Sequence, residues 1–457
     1  MLLCLTLAAL ATLRTDDALW LIRVGNDLLA EGVLPTTNRY SFTAPDFPWQ
    51  THEWLSEVLL ALANRVGGEP LLFALGLGGV WLSVVLVART AQLKNGSPRA
   101  AVLAAFVATP FIASAGMMLR PYLVGRVLLV IVLGLGSVAA SWRRALGLAA
   151  LFSLWANLHG SFGLGAGVLI VNALVAPASE RRGALADLFA ALVGASLTPL
   201  GVAGALFPLR YLTMMGQRHS VLDTIVEWQP VGTGPGLGWW VMGVGLIAAS
   251  LAFSKRPPRE RVRDALIAAA FAALALRAVR GLPDLGVMAA FVAGTHLRAP
   301  GPVSALRSSR PALALGVILF LAVTVTPVRN ALGFERYLSV RERVHPTAAL
   351  TALEHLPHPP ARLFSTLGWG GAVLAQQFPA TRVFIDARND CYPLEVFERH
   401  QRLLEAGPEA LSMLGAEKVD GVLLPPDEPL LPLLQASGWQ TAHADGEAVL
   451  LTSGVVP

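Results

Sequence analysis

The chain has 457 residues, 54% hydrophobic and only 14% charged, with a mean hydropathy of +0.58. Soluble domains carry about 25% charged residues, so the composition excludes an ordinary soluble enzyme and describes a polytopic helical membrane protein. The net charge of +5 comes from scattered Arg rather than a concentrated basic face, which argues against nucleic acid as a partner. The two cysteines, Cys4 and Cys391, are remote from each other and suggest neither a disulfide framework nor a Cys-based metal site.

Apolar runs recur along the first 330 residues, each near the roughly 20 residues a helix needs to cross a ~30 Å hydrocarbon layer. They lie near 1–14, 69–88, 100–116, 122–140, 145–158, 162–177, 185–200, 237–253, 264–280, 283–297 and 312–328, about eleven spans in all. The first is short: residues 1–13 rise only about 20 Å as a helix. A secretory signal is the rival reading, although the start lacks a basic n-region and a clear small-x-small cleavage site. The stretch "EWLSEVLLALANRV" at 53–66 is apolar on one side and carries Glu53, Glu57 and Arg65 on another, so it reads as an interfacial helix.

Alternate loops are basic. They hold Arg89, Lys94 and Arg99, then Arg143 and Arg144, then Arg181 and Arg182, then "KRPPRERVR" at 255–263, then Arg298, Arg307 and Arg310. Positive charge marks the cytoplasmic side, which places the N-terminus inside and the C-terminus outside. The opposite loops are long or polar. They are 14–68 with "RTDDALW" and "WQTHEWLSE", then "MMLRPYLVGR", "WANLHGSFG", 201–236 with "GQRHSVLDTIVEWQP", and "LRAVRGLPD". Ionisable groups beside hydrocarbon are expensive and often functional, and several loops supplying them on one face suggest a shared cavity.

Residues 1–330 thus form a transmembrane domain with a large first outward loop at 14–68. Residues 331–457 read as a separate extracytoplasmic α/β domain. There "TAALTALEHL", "GGAVLAQQF", 394–405 and 428–437 are helical in period, while "ARLFST", "TRVFIDAR", "VDGVLLPP" and "EAVLLTS" are strand-like. Strands alternating with short helices predict a small parallel α/β layer, with the hinge near 329–345.

Several motifs are absent. "HEWLS" has Ser56 where a zincin would need a second His, and neither G-x-S-x-G nor a Walker A loop occurs. Gly clusters such as "GLGG" at 76–79 lie in spans, where small residues let helices approach. The remaining candidates each carry two readings. Asp16 and Asp17 cap a helix beginning near Ala18, or supply a base or metal ligand at the membrane surface. His52 and Glu53 cap the interfacial helix, or join the Asp pair as an acid/base or metal partner. Arg120, Arg277 and Arg280 snorkel to the interface, or bind phosphate bidentately. Asn157 and His159 bond between helices. Glu227 and Trp228 anchor a loop in the aromatic belt, or form a site carboxylate beside a stacking surface.

Taken together, "DDALWLIRVGNDLLAEGVLPTTNRYSFTAPDFPWQTHEWLSEVLL", "RPYL", "WANLHGSF", "EWQP" and "GWGGAVLAQQFPATRVFIDARNDCY" resemble bacterial polytopic membrane glycosyltransferases of the type C (GT-C) fold. These are relatives of the dolichyl- or undecaprenyl-phosphate-sugar-dependent enzymes. Aligned on Gly25, Asp17 takes the second Asp of the D-x-D pattern, with Thr15 at the first. Trp20 matches the second motif Trp, and Leu21 stands where the family has His. His52, Glu53, Trp54, Arg120, His159, Glu227 and Trp228 match, as do Asp386, Arg388 and Asp390 in the C-terminal domain.

The resemblance implies a bacterial inner-membrane transferase. It would move a sugar from a polyprenyl-phosphate donor to an extracytoplasmic glycan, lipid or protein acceptor. Asp17, with Asp16, His52 and Glu53, would be catalytic. Arg120, His159, Glu227, Trp228, Arg277 and Arg280 would bind substrate and phosphate. Asp386, Arg388 and Asp390 would lie on the acceptor side. Mg²⁺ or Mn²⁺ on Asp17 and Glu53 is the implied cofactor, and membrane lipids are further partners. The second reading is a polyprenyl-linked glycan transporter or a catalytically inactive glycolipid-binding subunit. A transporter would need polar groups at the bilayer midplane, accessible from both sides.

The loop charges predict that a reporter fused after residue 457 is extracytoplasmic and one inserted within 255–263 is cytoplasmic. Both reporters on one side would refute the alternation.

Overall fold

The computed structural model describes residues 16–114, 120–135, 141–216, 220–232, 235–297 and 345–453. The candidate spans at 1–14 and 312–328 lie outside these residues, as do Cys4, Arg298, Arg307 and Arg310. The described chain is mainly helical with one small sheet, and contacts divide it into two units. The first takes in 66–216 and 225–297, and the second 16–65, 220–224 and 345–453. The first outward loop therefore packs with the C-terminal segment.

Helix α1 is Asp16–Glu31. Helix α2 runs Trp54–Asn95 with a break at Gly68, whose φ of +56° is one that glycine adopts without strain. Pro70 follows, in the opening turn of the second segment, where a missing N–H costs nothing. The break separates an arm that belongs to the second unit from an apolar run that belongs to the first. It falls between the predicted interfacial helix and the predicted span. Trp54–Asn95 is the described helix that is by itself long and apolar enough to cross a membrane. Residues 98–112, 122–135, 162–175 and 236–252 form shorter apolar helices.

The first unit continues with α3 Pro98–Ser114, α4 Tyr122–Leu135, α5 Trp142–Leu158, α6 Phe162–Val175 and α7 Ala178–Ala195. After these come α8 Gly201–Gly216, α9 Pro235–Ala252, α10 Pro258–Arg277 and α11 Leu282–His296. Every residue of α11 is buried. Its glycines permit this. A Cβ on Gly286 would lie 2.0 Å from the Phe111 Cβ, and one on Gly294 would lie 2.6 Å from the Ala91 Cβ. The outer faces carry exposed Phe106, Leu174, Phe189 and Phe253, more apolar surface than a chain in water displays.

Two sequence expectations need correction here. The stretch 201–236, read as one loop, contains helix α8. Gly201 and Pro208 look like helix breakers, yet Gly201 opens the helix at φ +57°. Exposed Val202, Leu206, Leu209 and Leu212 give α8 a face suited to lipid. Several basic residues assigned to loops sit in helix first turns instead: Arg143 and Arg144 in α5, Arg181 and Arg182 in α7. Cations at a helix N-terminus oppose the macrodipole. Arg144 is balanced by Asp187 at 2.8 Å, and Arg259 of α10 by Glu180 at 2.7 Å.

At the far end of α11, His296 Nε2 lies 2.8 Å from Asp264 Oδ2, and His296 Nδ1 lies 2.7 Å from Ser254 Oγ. Asp264 also accepts from Arg263. This network, with Asp264 and His296 fully buried, ties α10 to α11 and to the turn after α9.

In the second unit, β1 Arg362–Ser365, β2 Arg382–Val383, β3 Gly421–Leu424, β4 Gln440–Ala444 and β5 Val449–Thr452 form one sheet in the order β2-β1-β3-β5-β4. The helices are α12 Thr347–Glu354, α13 Leu367–Gln377, α14 Leu394–Leu404, α15 Ala410–Ala416 and α16 Leu430–Ala436. The expected all-parallel layer is in fact mixed: β5 is antiparallel to both β3 and β4. The cause is a hairpin. Asp445 Oδ1 accepts from the Glu447 and Ala448 N–H groups and turns the chain at once, so no crossover helix is required.

The first loop completes this unit. Phe42 N–H donates to Val383 O, and Val383 N–H to Tyr40 O, which lays residues 40–42 along β2. Arg23 donates to Phe378 O at 2.8 Å, joining α1 to the segment after α13. Gly25 lets α1 cross the α2 arm: a Cβ there would lie 2.0 Å from the Glu57 carbonyl oxygen.

Gly25→Ala should therefore destabilise the second unit by about 2–3 kcal/mol through overpacking against backbone. Thermal unfolding in detergent checks it, and an unchanged Tm would refute the close crossing.

Candidate functional site

Candidate residues gather in one polar cluster of the first unit and in another of the second. In the first, Arg120 and Pro121 precede α4, and two short 3-10 turns, Val226–Trp228 and Val279–Gly281, carry Glu227 and Arg280. Backbone bonds from Val279 N–H to Gln229 O at 3.0 Å and from Val231 N–H to Leu276 O at 2.9 Å lock the turns together. Arg120 Nη1 donates to Glu227 Oε2 at 2.7 Å, and Arg280 Nη1 donates to Glu227 Oε1 at 3.2 Å. Burial alone would raise the Glu227 carboxyl, but Arg280 and Arg120 outweigh it and hold the group below the usual carboxylate range.

Aromatic surface supports this clamp. The Arg280 guanidinium lies over the Trp228 ring at 4.2 Å, and Trp228 stacks on Tyr211 at 5.3 Å and 12°. Among the described residues the buried Trp228 Nε1–H has no acceptor. A second pair lies in α4 and α11: Arg126 Nε donates to Asp284 Oδ1 at 3.2 Å, and both are contacted by the Tyr122 hydroxyl. The His159 ring is 5.9 Å from that of Tyr122, and its Nδ1 accepts from Ser161 N–H.

Arg277 lies elsewhere. Its Nε and Nη2 both donate to Met215 O, at 3.1 and 2.6 Å, satisfying the C-terminal end of α8. Asn157 bonds between helices, donating to Leu197 O at 2.9 Å. The sequence reading left out Tyr122, Arg126, Tyr211 and Asp284. A lone arginine inside "YLVGRVLLVIVL" and an aspartate inside "LPDLGV" were the available signals, since neither charge is stable in hydrocarbon without the other.

The second cluster unites two motifs that the sequence reading had kept apart. His52 Nε2 is 3.1 Å from Glu53 Oε1, and His52 Nδ1 is 3.8 Å from Asp390 Oδ2, beyond direct hydrogen-bond length. The indole of Trp49 donates to the other Asp390 oxygen at 3.2 Å. All three ionisable side chains are partly accessible, 10–17% exposed.

Asp386 and Arg388 are a different case. Arg388 donates from Nε and Nη2 to the two Asp386 oxygens, at 2.8 and 2.6 Å, and from Nη2 to Asn38 Oδ1 at 2.8 Å. Its guanidinium is sandwiched between the Tyr40 and Trp49 rings at 4.8 and 4.6 Å, and Tyr392 closes the Asp386 side at 2.7 Å. This buried bidentate pair is scaffold: it fixes Trp49, which fixes Asp390.

Asp17 stands in the first turn of α1, where Oδ1 accepts from Trp20 Nε1 at 3.4 Å. Of Asp16 only the backbone is described.

Among the described residues no three His, Cys, Asp or Glu side chains are grouped to hold a metal ion. The Glu53 carboxylate lies beside His52 and that of Asp17 beside Trp20. Behind the cluster, Glu57 lies in the α2 arm before the Gly68 break. It accepts from Thr51 Oγ1 at 2.5 Å, and its other oxygen is buried without a partner among the described residues. Burial pushes its carboxyl up to about 8.

That shift makes a pH prediction. Folded Glu57 keeps its proton up to about 8, while unfolded it loses it near 4.3. Its contribution to stability is therefore full below about 4.3 and is lost progressively up to about 8. The Tm of Glu57→Gln minus that of the wild type should grow across this window and level off above it. A difference constant with pH would refute a neutral Glu57.

No protein-family model matches the chain, and no curated protein sequence matches it. Solved structures do. ArnT from Cupriavidus metallidurans bound to undecaprenyl phosphate superposes with a TM-score of 0.58 at 13% identity, covering 99% of this chain and 96% of that one. The same protein in the apo state gives 0.56 at 14% identity with the same coverage. Similarity along nearly the whole of both chains shows that this chain shares the fold of these structures, mainly helical with a small C-terminal α/β portion, which is the type C fold that its sequence resembles.

Proposed function

We propose that the chain is an integral-membrane glycosyltransferase that moves a hexosyl or pentosyl group from a polyprenyl-phosphate donor to an extracytoplasmic acceptor. The observation that carries this reading is the pair Arg120 and Arg280, converging on one carboxylate beside a Trp228–Tyr211 stack. Two guanidiniums drawn to one anion within an apolar bundle are what a lipid-linked phosphate requires. That a protein of the same fold holds undecaprenyl phosphate supports the assignment of ligand class.

The reaction is a single displacement with inversion. The bond from the anomeric carbon to the donor's phosphate oxygen breaks, and a bond from that carbon to the acceptor oxygen forms. The departing phosphate gains negative charge, which Arg120 and Arg280 stabilise. The acceptor proton passes to a first-loop carboxylate. Asp17 is the candidate base, and His52, Glu53 and Asp390 form the polar cluster of the same unit that orients the acceptor. Mg²⁺ or Mn²⁺, held by Asp17 and Glu53, would add to the stabilisation of the departing phosphate's charge. The active face and the C-terminal domain are assigned to the outer side of the bacterial inner membrane by the loop charges.

Arg120→Ala or Arg280→Ala should weaken binding of undecaprenyl phosphate by about 2–4 kcal/mol. Lys at either position should restore only part, because it lacks the planar fork. Unchanged binding in both Ala variants would return these residues to simple snorkelling. Asp17→Asn should fold normally and lose transfer; full activity in the purified variant would remove Asp17 as the base.

A further inference from the structure

The clamp in the first unit carries less positive charge than its arginines alone would supply. Arg120 and Arg280 bring two positive charges, and Glu227, bonded to both, removes one. The neighbouring Arg126 is matched by Asp284 and adds none. Among the described residues the site therefore presents a single net positive charge. Glu227 stays ionised, since the two guanidiniums hold its carboxyl low.

The donors are not exhausted. Among the described residues, Arg280 uses only Nη1 in a protein hydrogen bond, and the Trp228 indole N–H is buried without an acceptor. Both belong to the same stacked surface, with the guanidinium 4.2 Å above the ring. An anion can thus be received on the Arg280 and Trp228 edge while Glu227 remains in place. The three clamp side chains are 21–31% exposed, so a ligand can reach them.

Resting on the donor reading above, we infer that Glu227 is a specificity-determining residue. It sets the clamp to accept a phosphodiester monoanion and to release a phosphomonoester dianion.

The charge change belongs to the reaction. The donor phosphate is a diester with one negative charge. Cleavage of the bond from the anomeric carbon to oxygen leaves both bonding electrons on that oxygen, and the acceptor proton goes to the base. The lipid product is a monoester, whose second pKa near 6 gives it between about −1.5 and −2 at neutral pH. A site with one net positive charge matches the donor. The second charge of the product then meets the Glu227 carboxylate in a partly desolvated setting, where like charges repel strongly. The arrangement favours donor capture and product departure in the same pocket, which a bare pair of arginines would not do. Without Glu227, the clamp would hold the dianion best.

The test uses two lipid probes on the full-length protein in detergent: undecaprenyl phosphate, and its methyl ester, a monoanionic diester. In the wild type the diester should bind at least tenfold tighter than the monoester at pH 8. Glu227→Gln should reverse the order by tightening the monoester tenfold or more while changing the diester less. Glu227→Asp, which keeps the charge, should retain the wild-type order. Equal affinities in the wild type, or an unchanged ratio in Glu227→Gln, would overturn the inference and leave the donor reading standing, provided that Arg120→Ala and Arg280→Ala still weaken both probes. If neither arginine variant weakens either probe, the donor reading and the inference fall together. The wild-type comparison decides the matter even if Glu227→Gln does not fold.

Discussion

An arginine beside hydrocarbon needs a carboxylate or carbonyl acceptor, and much of the first unit can be understood from where those acceptors come from. Water cannot compensate an ion among apolar helices, so several of these guanidiniums pair with carboxylates. Arg126 of α4 takes Asp284 of α11, Arg144 of α5 takes Asp187 of α7, and Asp264 of α10 holds both Arg263 and His296. Each of these is a neutral or nearly neutral pairing that pins particular helix ends together. The Arg120–Glu227–Arg280 clamp departs from the pattern, because one carboxylate serves two arginines. The surrounding pairs are complete, so their role is structural.

The second unit solves a related problem with different means. Arg388 is as deeply buried as any side chain in the molecule, but it is held by a bidentate carboxylate, an amide oxygen and two aromatic faces. Such a centre is rigid in direction as well as in charge. The first loop wraps it: Asn38, Tyr40 and Trp49 are all loop residues. The loop is thereby fixed to the α/β sheet, and His52, Glu53 and Asp390 acquire a defined arrangement although about 340 positions separate the two motifs. Glu57, whose carboxyl burial raises, accepts from Thr51 in the arm behind them and adds to the same rigidity.

Much of this was legible before any coordinates. Composition and long apolar runs settled the membrane class, because burial in lipid selects residues locally. The division of α2 near Gly68 followed from an amphipathic stretch with Glu53, Glu57 and Arg65 on one side and a long apolar run on the other. Most of the C-terminal elements showed in their period. The exceptions were α15 and the polar edge strand β4, which carry no apolar alternation. His52, Glu53, Arg120, Glu227 and Arg280 stood out as ionisable groups at the ends of apolar segments.

What only the tertiary structure decided was pairing. Nothing in the vicinity of Arg277 says that it caps α8, whereas Arg280, three residues on, meets a carboxylate 53 positions away. Nothing near Asp284 names Arg126, and nothing in the strand pattern distinguishes a parallel neighbour from an antiparallel one. The reason is physical. Periodicity and composition record which face of an element is buried, a property of a dozen consecutive residues. Partner choice depends on how loops of tens to hundreds of residues close, and closure entropy varies too slowly with length to leave a local trace in the sequence.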